Sequence, residues 1–456
     1  MNFKGLKVLI IGTGISGMGA AALLEKSEAL PILFDSNPDV DVEKLKKELP
    51  EDTLTRIYTG ELPPNVEKSV DLVILSPGVP VDIPLVNSFR ERGIKIWGEI
   101  ELGFRFAKGQ LLAITGTNGK TTTTALLGQI MKDIARDPEN VYIVGNIGNP
   151  YTLKAADTDD ESVTVAEISS FQLETAINFK PHVSAILNIT PDHLNRHHTM
   201  ENYISIKESI AKNQTEDDYI VLNYDDPNTK AVADRVKAKV IFFSLKENPD
   251  TVDRKCDLLY MDGENIMYND EFLLNVNDMQ LIGSHNWENV MAGAGMALAV
   301  GVPKDDVVST IKSFKAVEHR IEYVKTVNGV DYYNDSKGTN PDAAIKAVQA
   351  MKKRTVLIGG GYDKSSKYDE WIESFDGKVK SLILLGQTAQ AIAECARAHG
   401  FNDIVFVNDM SEAVNEAHKI AQPGEAVLLS PACASWGMFK NYEERGRIFK
   451  DLVREL

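Results

Sequence analysis

The stretch Ala113-Ile-Thr-Gly-Thr-Asn-Gly-Lys-Thr-Thr122 decides how the rest of the chain is read. An apolar run, Leu111–Ile114, leads into a glycine loop, and a helical pattern, Thr122–Ala135, follows it. In such a loop successive backbone N–H groups face inward and cradle phosphate oxygens. Lys120 places a cation beside the β- and γ-phosphates, the Thr121 hydroxyl is suited to Mg2+, and the helix adds its N-terminus. Gly116, Thr117, Asn118, Gly119, Lys120, Thr121 and Thr122 are therefore candidate ATP-binding residues. Strict P-loop spacing puts a glycine where this chain has Ile114, so Gly116 takes that part from inside the loop.

Outward from this loop, strand and helix patterns alternate along the chain, which predicts α/β architecture with largely parallel sheets. A first cycle holds the strands Lys7–Ile11, Pro31–Phe34, Leu72–Leu75 and Ile94–Trp97. The second holds the loop and the runs Val141–Val144, Val163–Ile168, Val183–Leu187 and Tyr219–Leu222, then a helix over Glu288–Val300. The third holds Val330–Tyr333, Thr355–Ile358, Ser381–Leu385, Ile404–Val407 and Ala426–Leu429. The expected fold is three consecutive doubly wound domains: Rossmann-like over 1–98, P-loop ATPase-like over 99–316 and Rossmann-like over 317–456.

Composition narrows the function classes. The 456 residues are 43% hydrophobic and 25% charged, the profile of a globular protein. A formal charge of −17 argues against binding a nucleic-acid backbone, while leaving room for small anions held by local loops. Cys256, Cys395 and Cys433 are far apart and fit no disulfide framework. No run approaches the ~20 apolar residues of a membrane span. A cytoplasmic monomer is expected, with no nucleic-acid or membrane partner.

Other clusters carry chemistry. Gly12-Thr-Gly-Ile-Ser-Gly17 follows a strand and opens a helix, and Asp35 ends the next strand, as in a dinucleotide fingerprint. That segment alone would equally suit a nicotinamide-dependent oxidoreductase. Glu167-Ile-Ser-Ser-Phe-Gln-Leu-Glu174 ends a strand beside the phosphate loop, the usual place for a Mg2+ ligand. Glu167 is the candidate, and Glu174 is expected to face solvent. Asp192, His193, Asn195 and His197 gather at another strand end, although single histidines are more often structural.

Taken with Gly145-Asn-Ile-Gly148, Gly283-Ser-His-Asn-Trp-Glu-Asn289, His319-Arg320, Asn334-Asp-Ser-Lys-Gly-Thr-Asn340 and Ser430–Gly446, these motifs resemble the Mur ligase family across essentially the whole chain. The match is nearest to members that add D-glutamate. The resemblance implies that ATP phosphorylates the carboxylate of UDP-N-acetylmuramoyl-L-alanine and that D-glutamate attacks the acyl phosphate, with two Mg2+ ions. It assigns Lys120 and Thr121 to phosphate and metal, and Glu167 and His193 to metal. Asn289, Arg320 and Asp335 fall to ATP. Ile15, Ser16, Gly17, Asp35, Ser36, Ser76, Asn146 and Ser169 fall to the UDP-linked substrate, and His193, Lys337, Thr339, Lys364, Ser435, Trp436 and Tyr442 to D-glutamate. Asn37 stands where relatives often carry arginine. Lys207 reads from pattern alone as a surface lysine on a helix; the resemblance implies a carbamate that binds a second Mg2+. Sister ligases with another amino acid, folylpolyglutamate-type ligases and a P-loop ATPase without ligase activity are the competing readings.

Overall fold

Three sheets organise the chain in a computed structural model that describes residues 2–50, 52–252, 256–315, 317–362 and 366–456. The first sheet orders its strands Arg56–Thr59, Leu30–Asp35, Lys7–Ile11, Leu72–Leu75 and Lys95–Gly98, all parallel. Sequence order reverses direction between Lys7–Ile11 and Leu72–Leu75, which opens a crevice at their carboxyl ends. The Gly12–Gly17 turn and Ser76 lie there. Ser76 Oγ donates to Gly12 O at 3.2 Å. At Gly17 a Cβ would stand 2.0 Å from Gly12 O, so only glycine lets helix Ile15–Lys26 pack this close.

The second sheet runs Val141–Gly145, Val163–Glu167, Gln110–Thr115, Val183–Ile186, Tyr219–Asn223, Lys239–Ser244 and Asp257–Asp262 in parallel. Its direction switches at Gln110–Thr115, and this strand feeds the phosphate loop. The sheet then closes with the antiparallel strands Asn265–Tyr268 and Glu271–Asn275. This meander departs from the sequence expectation. Its strands mix charged and apolar residues and carry little periodic signal, and they turn at Gly263 (φ 60°) and Asn269 (φ 51°).

The third sheet orders Glu322–Val327, Val330–Asn334, Ala426–Leu429, Thr355–Gly359, Val379–Leu384 and Ile404–Phe406, with only the first pair antiparallel. Chain contacts divide the molecule into one unit of residues 1–275 and 288–311, and another of 276–287 and 312–456. The first two sheets share the first unit and one apolar core, which includes Ile10 and Ile74 of one sheet and Ala113, Ala166 and Ile186 of the other. Between them helix Glu99–Phe106 is anchored by charge: Glu101 accepts the N–H groups of Ile177, Asn178 and Phe179 and binds Arg105. Among the described residues no helix is long and apolar enough to cross a membrane.

Candidate nucleotide and substrate site

Strand Gln110–Thr115 delivers a loop whose shape depends on glycine at two places. Gly116 (φ 150°) and Gly119 (φ 87°) take conformations that side chains disfavour, and a Cβ on Gly119 would lie 2.1 Å from Asn289 Oδ1. Helix Lys120–Ile134 starts two residues earlier than its apolar pattern suggests, because Gly119 caps it. Lys120 and Thr121 thereby stand on its first turn.

Asn188 holds the loop from the neighbouring strand end. Thr117 N donates to Asn188 O at 2.9 Å, Asn118 N to Asn188 Oδ1 at 2.8 Å, and Asn188 Nδ2 to Asn118 O at 3.2 Å. Thr117 Oγ1 donates to Thr190 O at 3.0 Å and lies 3.2 Å from the Tyr203 hydroxyl.

Two lysines converge on one carbonyl. Lys120 Nζ donates to Gly116 O at 2.8 Å and to Thr117 O at 2.8 Å, while Lys207 Nζ donates to Gly116 O at 2.7 Å. Lys207 is 1% exposed, which corrects the surface reading of its helix, Met200–Glu208. Burial, and then the charge of Lys120, hold its ammonium well below the usual lysine range. Burial thus favours the uncharged form of the amine at the back of the phosphate loop.

Glu167 sits in register with Ile114 on the adjacent strand, at the mouth of the same loop. Asn146 binds it twice, from N to Glu167 O at 2.8 Å and from Nδ2 to Oε1 at 2.6 Å. The approach requires Gly145 (φ 93°), where a Cβ would meet Glu167 O at 2.2 Å. Glu167 Oε2 is buried with no hydrogen-bond partner. An orphaned carboxylate oxygen beside a phosphate loop fits a cation, because burial without one is costly. Ser169 caps the next turn, its hydroxyl accepting from Gln172 N at 3.3 Å.

Glu174 does not face solvent. Its side chain is 8% exposed, forms an ion pair with Arg196 at 2.5 Å and lies 3.3 Å from His197 Nδ1. The spacing from Glu167 suggested an outward carboxylate, but a short helix turns it inward. Arg196 also donates to Pro77 O at 3.0 Å and Val79 O at 3.1 Å, and its guanidinium stacks 4.2 Å from the Phe171 ring centre. Phe171 in turn stands 4.8 Å from the His193 ring. One arginine thus ties the loop after Ser76 to the Glu167–Glu174 motif and to His193.

His197 is buried, its Nε2 2.9 Å from Ser170 Oγ. Burial, followed by the charge of Arg196, pushes its pKa down from 6.5 to about 4. The unfolded chain binds this proton near pH 6.5 and the folded chain only near 4, so stability falls with pH across that window, by up to about 3 kcal/mol. His197→Gln should lose less of its urea midpoint than the parent between about pH 7 and pH 4. An equal loss would remove this histidine from the acid response.

At the first sheet, Asp35 accepts from Thr13 Oγ1 at 2.9 Å, Thr13 N at 3.3 Å and Asn37 N at 3.0 Å. Its carboxylate shapes the glycine turn, and Asn37 contributes to that shape through its backbone. Ile15 and Ser36 are exposed, Ser16 and Ser76 half-buried and Gly17 buried. A cavity of about 560 Å3 opens beside the turn, lined by Gly14, Ile15, Met18, Lys44 and Leu45.

In the other unit Asp335 is buried and accepts from Ser430 Oγ at 2.7 Å and Ile321 N at 3.3 Å. Burial pushes its pKa up to about 7. Arg320 Nε is buried without a hydrogen-bond partner. Arg445, 2% exposed, donates to Ser336 O at 2.7 Å, Ser336 Oγ at 3.0 Å and Cys433 O at 3.1 Å, bracing the Asp335–Thr339 turn against the Cys433–Trp436 loop. Lys337 Nζ lies 5.2 Å from the Tyr442 ring centre, Thr339 N donates to Lys337 O, and Ser435 is buried. Trp436 is 54% exposed and meets Tyr362 edge to face at 5.6 Å. Lys364 lies outside the described residues.

Known proteins match this arrangement along its full length. Three family models cover residues 6–98 (Mur ligase MurD-like, N-terminal domain), 114–297 (Mur ligase middle domain) and 319–433 (Mur ligase, glutamate ligase domain). The UDP-N-acetylmuramoylalanine--D-glutamate ligase of Lachnospira eligens is 53% identical over 100% of both chains. That of Lachnoclostridium phytofermentans is 51% identical over 100% of this chain and 99% of its own. The chain belongs to the Mur ligase family.

The Mur ligase fold is also seen in the solved UDP-N-acetylmuramate-alanine ligase MurC of Thermotoga maritima, with TM-score 0.62, 19% identity and coverage of 99% of each chain. Within this Mur ligase, Asn188, Arg196, Tyr203 and Arg445 escaped the sequence reading. The Leu187–His198 run signalled a site, but nothing in it marked which polar side chain would turn back onto the loop.

Proposed function

We propose that this Mur ligase joins D-glutamate to UDP-N-acetylmuramoyl-L-alanine, using ATP, in cytoplasmic peptidoglycan precursor synthesis. The observation that carries the reading is the convergence of Lys120, Glu167 and Lys207 on the Gly116–Thr122 loop. It is supported by the full-length kinship to relatives named for that ligation.

The γ-phosphoryl group passes to a carboxylate oxygen of the UDP-linked substrate, and ADP leaves. The D-glutamate amine then attacks the activated carbonyl and loses a proton, and the tetrahedral adduct collapses to amide and phosphate. The difficulty is bringing triphosphate and carboxylate together. Lys120 and the loop N–H groups offset that repulsion. Mg2+, when bound, supplies further positive charge. Glu167 through Oε2, Thr121 and His193 would hold it.

Lys207 suits carbamate formation. Burial disfavours the charge on its ammonium, and addition of CO2 to the amine with release of a proton would turn a buried nitrogen donor beside Lys120 into an oxygen donor for a second Mg2+. Intact-mass measurement on freshly purified protein should show an increment of one CO2, absent in Lys207→Met; no increment removes the carbamate.

The main proposed roles are 1–98 for the UDP moiety, 99–316 for ATP and 317–456 for D-glutamate, with Asn146, Ser169, His193, Arg320 and Asp335 serving a ligand other than that of their own region. Ile15, Ser16, Gly17, Asp35, Ser36, Ser76, Asn146 and Ser169 serve the first substrate. Asn289, Arg320 and Asp335 serve ATP. His193, Lys337, Thr339, Lys364, Ser435, Trp436 and Tyr442 serve the amino acid. A monomer is the proposed working form.

Phosphate release separates the readings. It should require UDP-N-acetylmuramoyl-L-alanine and D-glutamate together, and equal turnover with L-glutamate, lysine or diaminopimelate would overturn the D-glutamate assignment. Arg196→Lys keeps the charge but loses the fork that reaches Pro77 O, Val79 O and Glu174. Its KM for the UDP-linked substrate should rise about tenfold with little change for ATP. A selective rise for ATP would contradict the role of that tie.

A further inference from the structure

Two helices of the second unit bring three metal-binding side chains, Asp369, Cys395 and His399, to one spot, with Glu373 beside the histidine. Helix Asp369–Glu373 carries two carboxylates four residues apart, and helix Ala389–Ala398 with its cap residue carries Cys395 and His399 at the same spacing. Side chains at that spacing share a helix face. The two faces meet. His399 Nε2 is 3.4 Å from Glu373 Oε1 and 3.8 Å from Asp369 Oδ1. Cys395 Sγ is 3.9 Å from His399 Nδ1. One ligand atom from each of Asp369, Cys395 and His399 lies within 4.8 Å of the others.

The imidazole is oriented for coordination. His399 Nδ1 lies 2.9 Å from Cys395 O, so Nδ1 is the donor nitrogen and the lone pair of the neutral ring sits on Nε2, toward the carboxylates. A backbone carbonyl fixing one ring nitrogen while the other faces a ligand is the usual outer-shell arrangement of a metal-bound histidine. The last turn of a ten-residue helix adds the negative end of its dipole. Thiolate, imidazole and carboxylate suit Zn2+, whereas Mg2+ and Ca2+ prefer oxygen alone.

We infer that Asp369, Cys395 and His399 bind one Zn2+ ion, which staples helix Asp369–Glu373 to helix Ala389–Ala398. Binding displaces the thiol proton of Cys395 to solvent and leaves the metal at its resting oxidation state. The staple is separate from the Mg2+ of catalysis in place and in ligand chemistry.

The test uses the full-length chain, stripped with chelator and kept in saturating Mg2+, and titrated first with Co2+. A thiolate-to-cobalt charge-transfer band should grow, saturate at one ion per chain and disappear on adding Zn2+. Cys395→Ser should abolish the band, and Cys256→Ser, which alters another free cysteine, should keep it. His399→Gln, a surface change that spares folding, should weaken Co2+ binding more than about tenfold. Zn2+ should also raise the thermal midpoint of the parent and not of the His399→Gln variant. No band, a band that survives Cys395→Ser, or unchanged affinity in His399→Gln would overturn the site and leave an imidazolium–carboxylate ion pair only.

Discussion

Lys120→Ala is expected to lower ligation by about a thousandfold, with the denaturation midpoint nearly unchanged. The lysine is the only side-chain cation that the loop itself contributes, and its Nζ is held over the loop by the carbonyls of Gly116 and Thr117. Gly116 O keeps its bond from Lys207 Nζ when Lys120 is truncated, so of these two carbonyls only Thr117 O loses its lysine donor. Transition-state charge on the phosphoryl oxygens, in contrast, loses its nearest fixed countercharge. Rapid-quench measurement of acyl phosphate formation locates the loss at phosphoryl transfer. Parent-like turnover would contradict the phosphate role of the loop. A fall in the denaturation midpoint large enough to explain the loss would do so as well.

The second large effect is expected from Glu167→Gln. The amide keeps the volume and can accept from Asn146 as the carboxylate does. What disappears is one negative charge at an oxygen that has no hydrogen-bond partner among the described residues. The Mg2+ concentration for half-maximal rate should rise about 10–100-fold, and the rate at saturating ATP should fall by a similar factor. Excess Mg2+ should restore part of it. If Mg2+ dependence is unchanged, Glu167 positions Asn146 and does not hold metal.

The parts of the site that could be read from the sequence are those in which local spacing and local chemistry coincide. The phosphate loop announces itself because strand, glycines, Lys120, Thr121 and helix are contiguous. Glu167 stands out because it ends a parallel strand beside the phosphate loop; without that loop a capping or ion-pair role would account for it equally well. The three-sheet α/β plan follows from alternating strand and helix patterns, and the strands named from sequence match to within a residue or two, whereas Arg56–Thr59, Lys239–Ser244, Asp257–Asp262 and Glu322–Val327 went unread. Reversals of chain direction were harder. The Asp257–Asn275 meander is held by cross-strand pairing, which leaves no period in a strand read alone. Lys207 looks like any lysine on an amphipathic helix, and only the tertiary fold buries it against Gly116 O. Glu174 and Arg196 are twenty-two residues apart, so their pairing was invisible to any local pattern. Arg445 forms its bonds to Ser336 across 109 residues of chain. Burial holds the Lys207 ammonium and the Arg445 guanidinium below their usual ranges, and burial is a property of the assembled unit.

Helix Glu99–Phe106 joins the sheet that carries the Gly12–Gly17 turn to the sheet that carries the phosphate loop, and Glu101 pins it by three backbone N–H groups. Swinging one sheet away from the other would strip a buried carboxylate of those donors, a heavy penalty for a thermal fluctuation. The separation between nucleotide turn and phosphate loop is accordingly a fixed length. Under the proposed function it works as a caliper: a substrate gripped at its diphosphate presents its far carboxylate at one set distance. Shorter or longer UDP-linked acids would then be refused by reach alone, before any contact with the reacting end distinguishes them.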